Sequence, residues 1–208
     1  MAQRYLLGIP RAPRYLTPTP QATPMNAPAL LASNHCVALG RRSLHQLRAS
    51  LERDTGLQTA TYLQEAGFAG GEQVYNAFAA WLALNYGVDH PNKLDVKYLG
   101  EILTRFFRES GWGSLAVTTL SPSVLALDSA DWSEADPGAG AQYPSCHMTS
   151  GMLADFLGRV SGALVGVMEV ECVSRGDQRC RFLAGAPESL TTVYEHMAAG
   201  RTYSEALA

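Results

Sequence analysis

Apolar side chains recur at three- and four-residue spacing in five segments of the chain, which is the pattern of helices with one buried face. The predicted helices lie at about residues 43–55, 59–85, 93–110, 147–161 and from 187 onward. The third has the clearest apolar stripe, with Asn92 as its N-cap and Gly111 just past its end. The second holds Gly67, Gly70 and Gly71, and interior glycines favour places where another backbone comes close.

Two pairs of β-rich segments follow the third and fourth helices. Residues 114–120 and 123–128 are joined by Ser-Pro, and residues 164–174 and 179–184 by Arg-Gly-Asp-Gln. Each connection is a tight turn, so each pair is predicted to be an antiparallel hairpin. The order of helices, two strands, helix, two strands and helix predicts an α+β fold with helices packed on an antiparallel sheet.

Residues 1–36 differ from the rest of the chain in composition. They hold six of the eleven prolines, which favour extended chain over helix or sheet. No acidic residue precedes Glu52, whereas six arginines do. We interpret residues 1–36 as a Pro-rich basic arm or linker and residues 37–208 as a single domain. A basic tether for an acidic partner is the alternative reading of the arm.

Composition and charge exclude several classes of protein. The 208 residues are 47% hydrophobic, enough for a packed core, and the net charge of -3 gives no chain-wide basic footprint for nucleic acid. The apolar run from Phe78 to Leu84 is far shorter than the roughly 18 residues of a transmembrane span. The N-terminus also lacks the apolar region of a secretion signal. We expect a cytoplasmic protein with no transmembrane segment and no nucleic-acid partner.

Three of the four cysteines are close in sequence, a spacing that points to a metal site. Cys172 and Cys180 lie on the two arms of the second predicted hairpin, so folding brings their sulfurs to one end of the sheet. Cys146 precedes the fourth helix, whose dipole would favour a thiolate and lower its pKa. Together with Glu169 these residues supply three thiolates and a carboxylate, the closed four-ligand set of a structural zinc site.

The strand that carries Glu169 poses a geometric problem for this site. In a regular strand Glu169 and Cys172 point to opposite faces, whereas Glu171 shares a face with Glu169. A zinc site therefore requires a bulge or a strand end between them. His147 is a candidate substitute ligand, and three buried apolar cysteines beside a solvated glutamate are the alternative.

Zinc with these four ligands carries a formal charge of about −2. Three arginines near the second hairpin are candidates to offset it: Arg175, Arg179 and Arg181. No catalytic set accompanies the cysteines: the sequence shows no nucleophile with a neighbouring base, no phosphate-binding loop and no flavin or nicotinamide fingerprint. The sequence therefore favours a binding protein over an enzyme.

Three segments resemble the V4R (4-vinyl reductase) domain family. They are Cys-His-Met-Thr-Ser-Gly from Cys146, Met-Glu-Val-Glu-Cys from Met168, and Gly-Asp-Gln-Arg-Cys-Arg-Phe from Gly176. With the glycine-containing segment 66–71 the resemblance covers roughly residues 59–186. The family includes a bacteriochlorophyll-biosynthesis protein and the sensory domains of aromatic-responsive activators, and it shares its fold with vesicle-tethering subunits. In the sensors three cysteines and one glutamate bind zinc, which correspond here to Cys146, Glu169, Cys172 and Cys180.

The resemblance also implies an apolar ligand pocket between helices and sheet, and a homodimer formed by the helical half. Residues on elements that would converge over the sheet are candidates to line the pocket: Phe106 or Phe107, Trp112, Leu125 and Phe156. For any single one of them, an ordinary core position is the favoured alternative. Phenol sensors of this family hold the ligand hydroxyl with a His and a Trp, but the matching strand here, residues 124–127, is Val-Leu-Ala-Leu. A more apolar ligand is therefore expected.

We therefore expect a small hydrophobic-molecule-binding protein, a sensor or carrier, with a structural zinc and a downstream protein partner. The alternative is an accessory protein or vinyl reductase of tetrapyrrole (bacteriochlorophyll) biosynthesis. A purely structural tethering subunit is a third reading, and it would need no pocket.

Overall fold

The computed structural model describes residues 26–207, which form seven helices and four strands. The helices are α1 (Ala27–Ser33), α2 (Arg41–Thr55), α3 (Gln58–Tyr86), α4 (Val96–Glu109), α5 (His147–Ser161), α6 (Pro187–Ala198) and α7 (Tyr203–Ala206). The strands are β1 (Ala116–Ser121), β2 (Val124–Ser129), β3 (Gly166–Glu171) and β4 (Cys180–Gly185). Within this part of the chain, no helix is both long and apolar enough to cross a bilayer.

The four strands form one antiparallel sheet in the order β1-β2-β4-β3. The two predicted hairpins are β1–β2 and β3–β4, and the pairing of β2 with β4 joins them into the sheet. Strand β3 ends earlier than predicted because the chain enters a 3-10 turn at Val173–Arg175. This topology confirms the predicted α+β class.

Each face of the sheet has its own core. Helices α3, α4 and α5 cover one face with buried aromatic side chains such as Phe78 and Phe156. Helix α6 covers the other face, where Leu190 and Val193 pack with residues of β2 and β4. Alternate residues of each strand therefore enter different cores, which explains the nearly continuous burial of β2 and β4.

Helix α4 begins later than its sequence pattern predicts. The carboxylate of Asp95 accepts the backbone N–H of Lys97 at 3.0 Å and caps the helix. Asn92 instead lies in a 3-10 turn at Pro91–Lys93, so its prediction as the cap is wrong. The stop at Gly111 is confirmed, since this residue has a φ of 81° that favours glycine.

Helices α3 and α5 cross with their backbones in close contact. A Cβ atom on Gly67 would lie 2.0 Å from the carbonyl oxygen of Met148, and one on Gly151 would lie 1.9 Å from that of Gln64. The predicted close approach is thus confirmed for Gly67, but its partner is a helix of the same chain. The glycine spacing consequently gives no independent support to a homodimer.

Part of the predicted N-terminal arm is folded onto the domain. Residues 27–33 form α1, where the side chain of Asn26 caps the helix and Pro28 occupies its first turn. Ala27 and Leu30 are buried in the core beside α3. The expectation of extended chain is therefore wrong for these residues. Residues 1–25 lie outside the described range, and the division into arm and domain stays a prediction.

Candidate metal centre

Four side chains from three elements converge at one end of the sheet. Cys146 immediately precedes α5, Glu169 lies on β3, Cys172 follows β3 and Cys180 begins β4. One ligand atom from each lies within 4.8 Å of all the others, and the three cysteines are fully buried. The Sγ atom of Cys146 is 3.9 Å from that of Cys172 and 3.8 Å from that of Cys180. The structure thus brings together all four predicted ligands.

A β-bulge solves the geometric problem posed by Glu169 and Cys172. Glu169 pairs with Phe182 and Glu171 pairs with Arg181, so Val170 is the extra residue of the bulge. Val170 packs in the core under α6, whereas Cys172 packs in the core under α3, α4 and α5. The bulge therefore returns Cys172 to the face of Glu169, and the predicted irregularity is confirmed.

The geometry of the cluster fits a tetrahedral metal ion. A Zn–S bond of about 2.3 Å places two thiolates of a tetrahedron about 3.8 Å apart, close to the observed sulfur distances. All three cysteines are free thiols. The Oε2 atom of Glu169 accepts the backbone N–H of Cys146 at 2.8 Å, whereas its Oε1 atom is buried without a hydrogen-bond partner. Such an unsatisfied buried oxygen suits a bound cation.

The mutual contacts of these groups shift their pKa values. Contacts with the sulfurs of Cys172 and Cys180 raise the pKa of Cys146 well above its usual value, against the lowering expected from the start of α5. The contact with Cys146 lowers the pKa of Cys172 instead. Burial raises the pKa of Glu169 to about 9. A cation in the cluster would favour the ionised form of every ligand.

The arginines predicted to offset the charge of the cluster are paired elsewhere. Arg181 forms a bidentate pair with Asp128 at 2.7 and 2.6 Å, on the face of β4 opposite to Cys180. Arg175 and Arg179 likewise form ion pairs with the carboxylates of Asp177 and Glu171. Acidic partners already neutralise these three cations, so that expectation is not supported.

A different arginine, Arg48 of α2, approaches the cluster and was not identified from the sequence. Only 4% of this residue is exposed, and its Nη1 atom donates to Oγ of Ser145 at 3.0 Å. That hydroxyl lies 3.8 Å from Sγ of Cys172. A signal was present, because Arg48 occupies a position of the buried helix stripe four residues after Leu44.

Glu134 was also missed, and it holds the first turn of α5. Its buried carboxylate accepts the backbone N–H groups of Met148 and Thr149 at 3.0 and 2.7 Å. It also accepts the Thr149 hydroxyl at 2.5 Å, and that hydroxyl accepts the indole N–H of Trp132. The carboxylate thereby satisfies amide groups at a helix start, beside Cys146.

The candidate pocket residues occupy different environments. Phe106 and Phe156 are fully buried and pack edge-to-face against Phe78, with ring centroids 5.2 and 5.3 Å apart. Trp112 is half-buried and stacks on Trp132. Leu125 is half-buried on β2, where it pairs with Thr119 and Ala184. Phe106 and Phe156 therefore meet around Phe78, and Trp112 joins the same network of rings through Trp132 and Phe107. The role of the four candidates in ligand binding stays a prediction.

Comparison with known proteins supports the resemblance stated from the sequence. Residues 134–186 match the family model of the V4R domain, and this range contains all four candidate ligands. A segment of 80 residues is 30% identical to an uncharacterised protein of Methanocaldococcus jannaschii. The match covers 38% of this chain and 42% of that protein, so it spans less than half of the curated relative.

Two solved structures are similar in fold, and a third matches more weakly. One is the phenol-responsive sensory domain of the transcription activator PoxR with phenol, with TM-score 0.54 and 18% identity over 73% of this chain and 77% of that chain. Another is subunit 3 of a trafficking protein particle complex from Naegleria fowleri, covalently bound to palmitic acid, with TM-score 0.56 and 14% identity over 70% and 91%. A vinyl-4-reductase family protein of M. jannaschii has TM-score 0.48 and 18% identity over 75% and 89%.

Proposed function

We propose that this chain, which carries a V4R domain at residues 134–186, binds a small hydrophobic molecule and holds a structural zinc ion. The zinc would be bound by Cys146, Glu169, Cys172 and Cys180. The protein would act as a sensor or carrier rather than as an enzyme. The observation that carries the proposal is the convergence of four ligand atoms within 4.8 Å in a buried cluster.

The metal would be structural because the ligand set is complete. Three thiolates and one carboxylate fill a tetrahedral site and leave no position for substrate. The ligands come from the start of α5 and from both strands of the second hairpin. A metal here would cross-link these elements, and the binding free energy of a structural zinc contributes directly to folding.

A hydrophobic ligand is supported by the composition of the core under α3, α4 and α5. Phe106, Trp112, Leu125 and Phe156 are the candidate contacts, and the first and last belong to the aromatic cluster around Phe78. Binding within that cluster would require the rings to separate, and an apolar ligand would then pack between them. In fold, the chain resembles the sensory domain solved with phenol and the subunit solved with palmitic acid.

The proposal includes a homodimer and a reducing, cytoplasmic setting. Helix α3 exposes large apolar side chains, among them Tyr62 and Phe68, at 46% and 50% of their surface. Exposed apolar residues of this size on one helix favour a partner surface, and a second copy fits the dimerisation inferred from the V4R resemblance. Free thiols persist in the cytoplasm, where they remain available to a metal. A sensor would also require a downstream protein partner.

Native mass spectrometry of the full-length purified protein tests both parts of the proposal. We expect one zinc ion per chain and a co-purified apolar small molecule, which denaturing extraction would identify. Cys172→Ser should lose zinc and most of the soluble protein, whereas Cys36→Ser, which removes a cysteine outside the cluster, should behave as the wild type. A folded wild-type protein with far less than one equivalent of metal would overturn the zinc site. Failure of any apolar molecule to co-purify or bind would overturn the sensor or carrier role.

A further inference from the structure

Helix α2 contacts the loop that precedes α5 through three polar side chains on one helix face. Arg41 Nη2 donates to Oγ of Ser133 at 3.1 Å, and Nε2 of His45 lies 3.1 Å from the carbonyl oxygen of Ser133. Arg48, the most deeply buried of the three, donates to the carbonyl oxygen of Glu134 at 3.2 Å. The helix is thereby fixed to the segment that leads directly into the metal centre.

Arg48 also reaches the residue next to the first metal ligand. Its Nη1 atom donates to Oγ of Ser145 at 3.0 Å and lies 3.4 Å from the carbonyl oxygen of the same residue. The Ser145 hydroxyl is in turn 3.8 Å from Sγ of Cys172. A single hydroxyl group therefore lies between the guanidinium and a candidate zinc thiolate.

The buried charge of Arg48 is only partly balanced by the carboxylates near it. Its hydrogen bonds to Glu134 and Ser145 end on neutral oxygens, two carbonyls and a hydroxyl. The buried Glu134 carboxylate also attracts Arg48, but it already accepts three hydrogen bonds from Met148 and Thr149 at the start of α5. Its ion pair with Glu52 is long, at 3.7 Å, and the Glu52 side chain is 48% exposed, so solvent weakens it. A further negative group nearby would therefore stabilise this buried cation.

The proposed metal centre supplies such a negative group. Zinc with three thiolates and one carboxylate carries a net charge of about −2. The arginines of the second hairpin are engaged with Asp128, Glu171 and Asp177. Arg48 enters from another element, on the side where Ser145 bridges to the cluster.

We propose that Arg48 is a positioning residue of the metal centre, which offsets part of its negative charge and holds Ser145 beside Cys172. Docking of α2 and metal affinity are then coupled, and each stabilises the other by the same factor. This inference rests on the proposed function, since it requires that the cluster bind a metal.

Zinc competition with a chromogenic chelator tests the inference on the full-length, zinc-loaded protein. Arg48→Met removes the charge and the hydrogen bonds while keeping an unbranched apolar stem in place of the arginine methylenes. We expect its apparent zinc affinity to fall roughly 10–100-fold, the usual effect of removing a residue that orients metal ligands without binding the metal itself. Arg48→Lys should retain part of the affinity because it keeps the charge. Arg41→Met is the matched control, since Arg41 contacts the same loop but is exposed, and its zinc affinity should equal that of the wild type.

Each outcome separates this inference from the proposed function. A wild-type protein that takes up no zinc overturns the metal site itself. A wild-type protein that binds zinc, with Arg48→Met of equal affinity, overturns only the role of Arg48. Equal losses in Arg48→Lys and Arg48→Met would overturn charge compensation. If Arg48→Met does not fold, Ser145→Ala replaces it, and undiminished zinc affinity in that variant overturns the proposal.

Discussion

The backbone N–H of Cys146 donates to Oε2 of Glu169 across 2.8 Å and joins the first turn of α5 to strand β3. The same carboxylate keeps its second oxygen buried and without a partner. One side chain thus contributes a hydrogen bond that fixes the cluster and an oxygen that is free to bind a cation. At Glu169, metal binding and the structural hydrogen bond can therefore be tested separately.

Glu169→Gln is expected to weaken zinc binding roughly 10–100-fold, because the amide can still accept from Cys146 but no longer supplies an anion. Chelator competition on the purified protein measures this change. Glu171→Gln is the matched control: Glu171 lies two residues away on the other face, where it pairs with Arg179 and Tyr203. Its zinc affinity should be unchanged. Equal losses in both variants would show that the effect comes from the strand and not from metal ligation.

Glycine replacements at the crossing of α3 and α5 test the close backbone contact. Gly151→Ala and Gly67→Ala place a methyl group about 2 Å from a carbonyl oxygen, so they should destabilise the fold by about 1–3 kcal/mol or more. Gly70→Ala projects into open space and should stabilise the helix by roughly 0.5–1 kcal/mol. Urea unfolding measures all three. Equal effects at Gly67 and Gly70 would contradict the described crossing.

Features that depend on neighbouring residues could be predicted from the sequence, whereas contacts between distant segments could not. The second hairpin is encoded by neighbouring β-rich segments and a glycine-containing turn, so Cys172 and Cys180 could be placed together from sequence. The need for a bulge followed from the two-residue period of a strand. By contrast, the helical period places Arg48 on the buried stripe of α2 but does not identify its partners. That contact depends on how α2 packs on a loop nearly one hundred residues later.

The aromatic residues show a second limit of prediction from sequence. Their helical spacing identifies buried positions, and Phe106 and Phe156 are indeed buried. Burial alone does not distinguish the wall of a cavity from a filled core, because both exclude water. The position of Gly67 inside a helix likewise indicated a close backbone contact, but it did not show that the contacting backbone is α5 of the same chain.

The hydroxyl of Thr149 links two buried polar groups, so its removal should be costly. It donates to Glu134 at 2.5 Å and accepts the indole N–H of Trp132 at 2.6 Å. Thr149→Val leaves the indole N–H unsatisfied and should cost about 1–3 kcal/mol in the free energy of unfolding. Thr191→Val, which removes an exposed hydroxyl from α6, is the control with little expected effect.

The cost of Thr149→Val should also depend on pH. Burial raises the pKa of Glu134, and the hydrogen bonds from Thr149 oppose that rise. The raised pKa means that ionising Glu134 disfavours the folded state as pH increases. Losing a donor penalises the ionised carboxylate further, so the deficit should be larger at mildly alkaline than at mildly acidic pH. Urea unfolding at both pH values measures this dependence. A deficit that instead grows in acid would contradict this assignment.

The exposed face of α3 is expected to form the homodimer interface. Phe68 is 50% exposed and lines an open groove of about 340 Å³, together with Leu164, which is 76% exposed. Large apolar side chains at the rim of a groove favour burial against a partner, and a second copy would bury both grooves at once. Light scattering of the full-length protein should give twice the chain mass of 22.4 kDa.

Phe68→Glu should reduce the measured mass to that of one chain, because two carboxylates would face each other across a dry interface. Tyr194→Glu is the matched control on α6, where the replaced ring is 64% exposed on the other side of the sheet, and it should remain dimeric. A wild-type protein that is monomeric at tens of micromolar would overturn the dimer. Dissociation by both variants would show that added charge alone, rather than the α3 face, sets the oligomeric state.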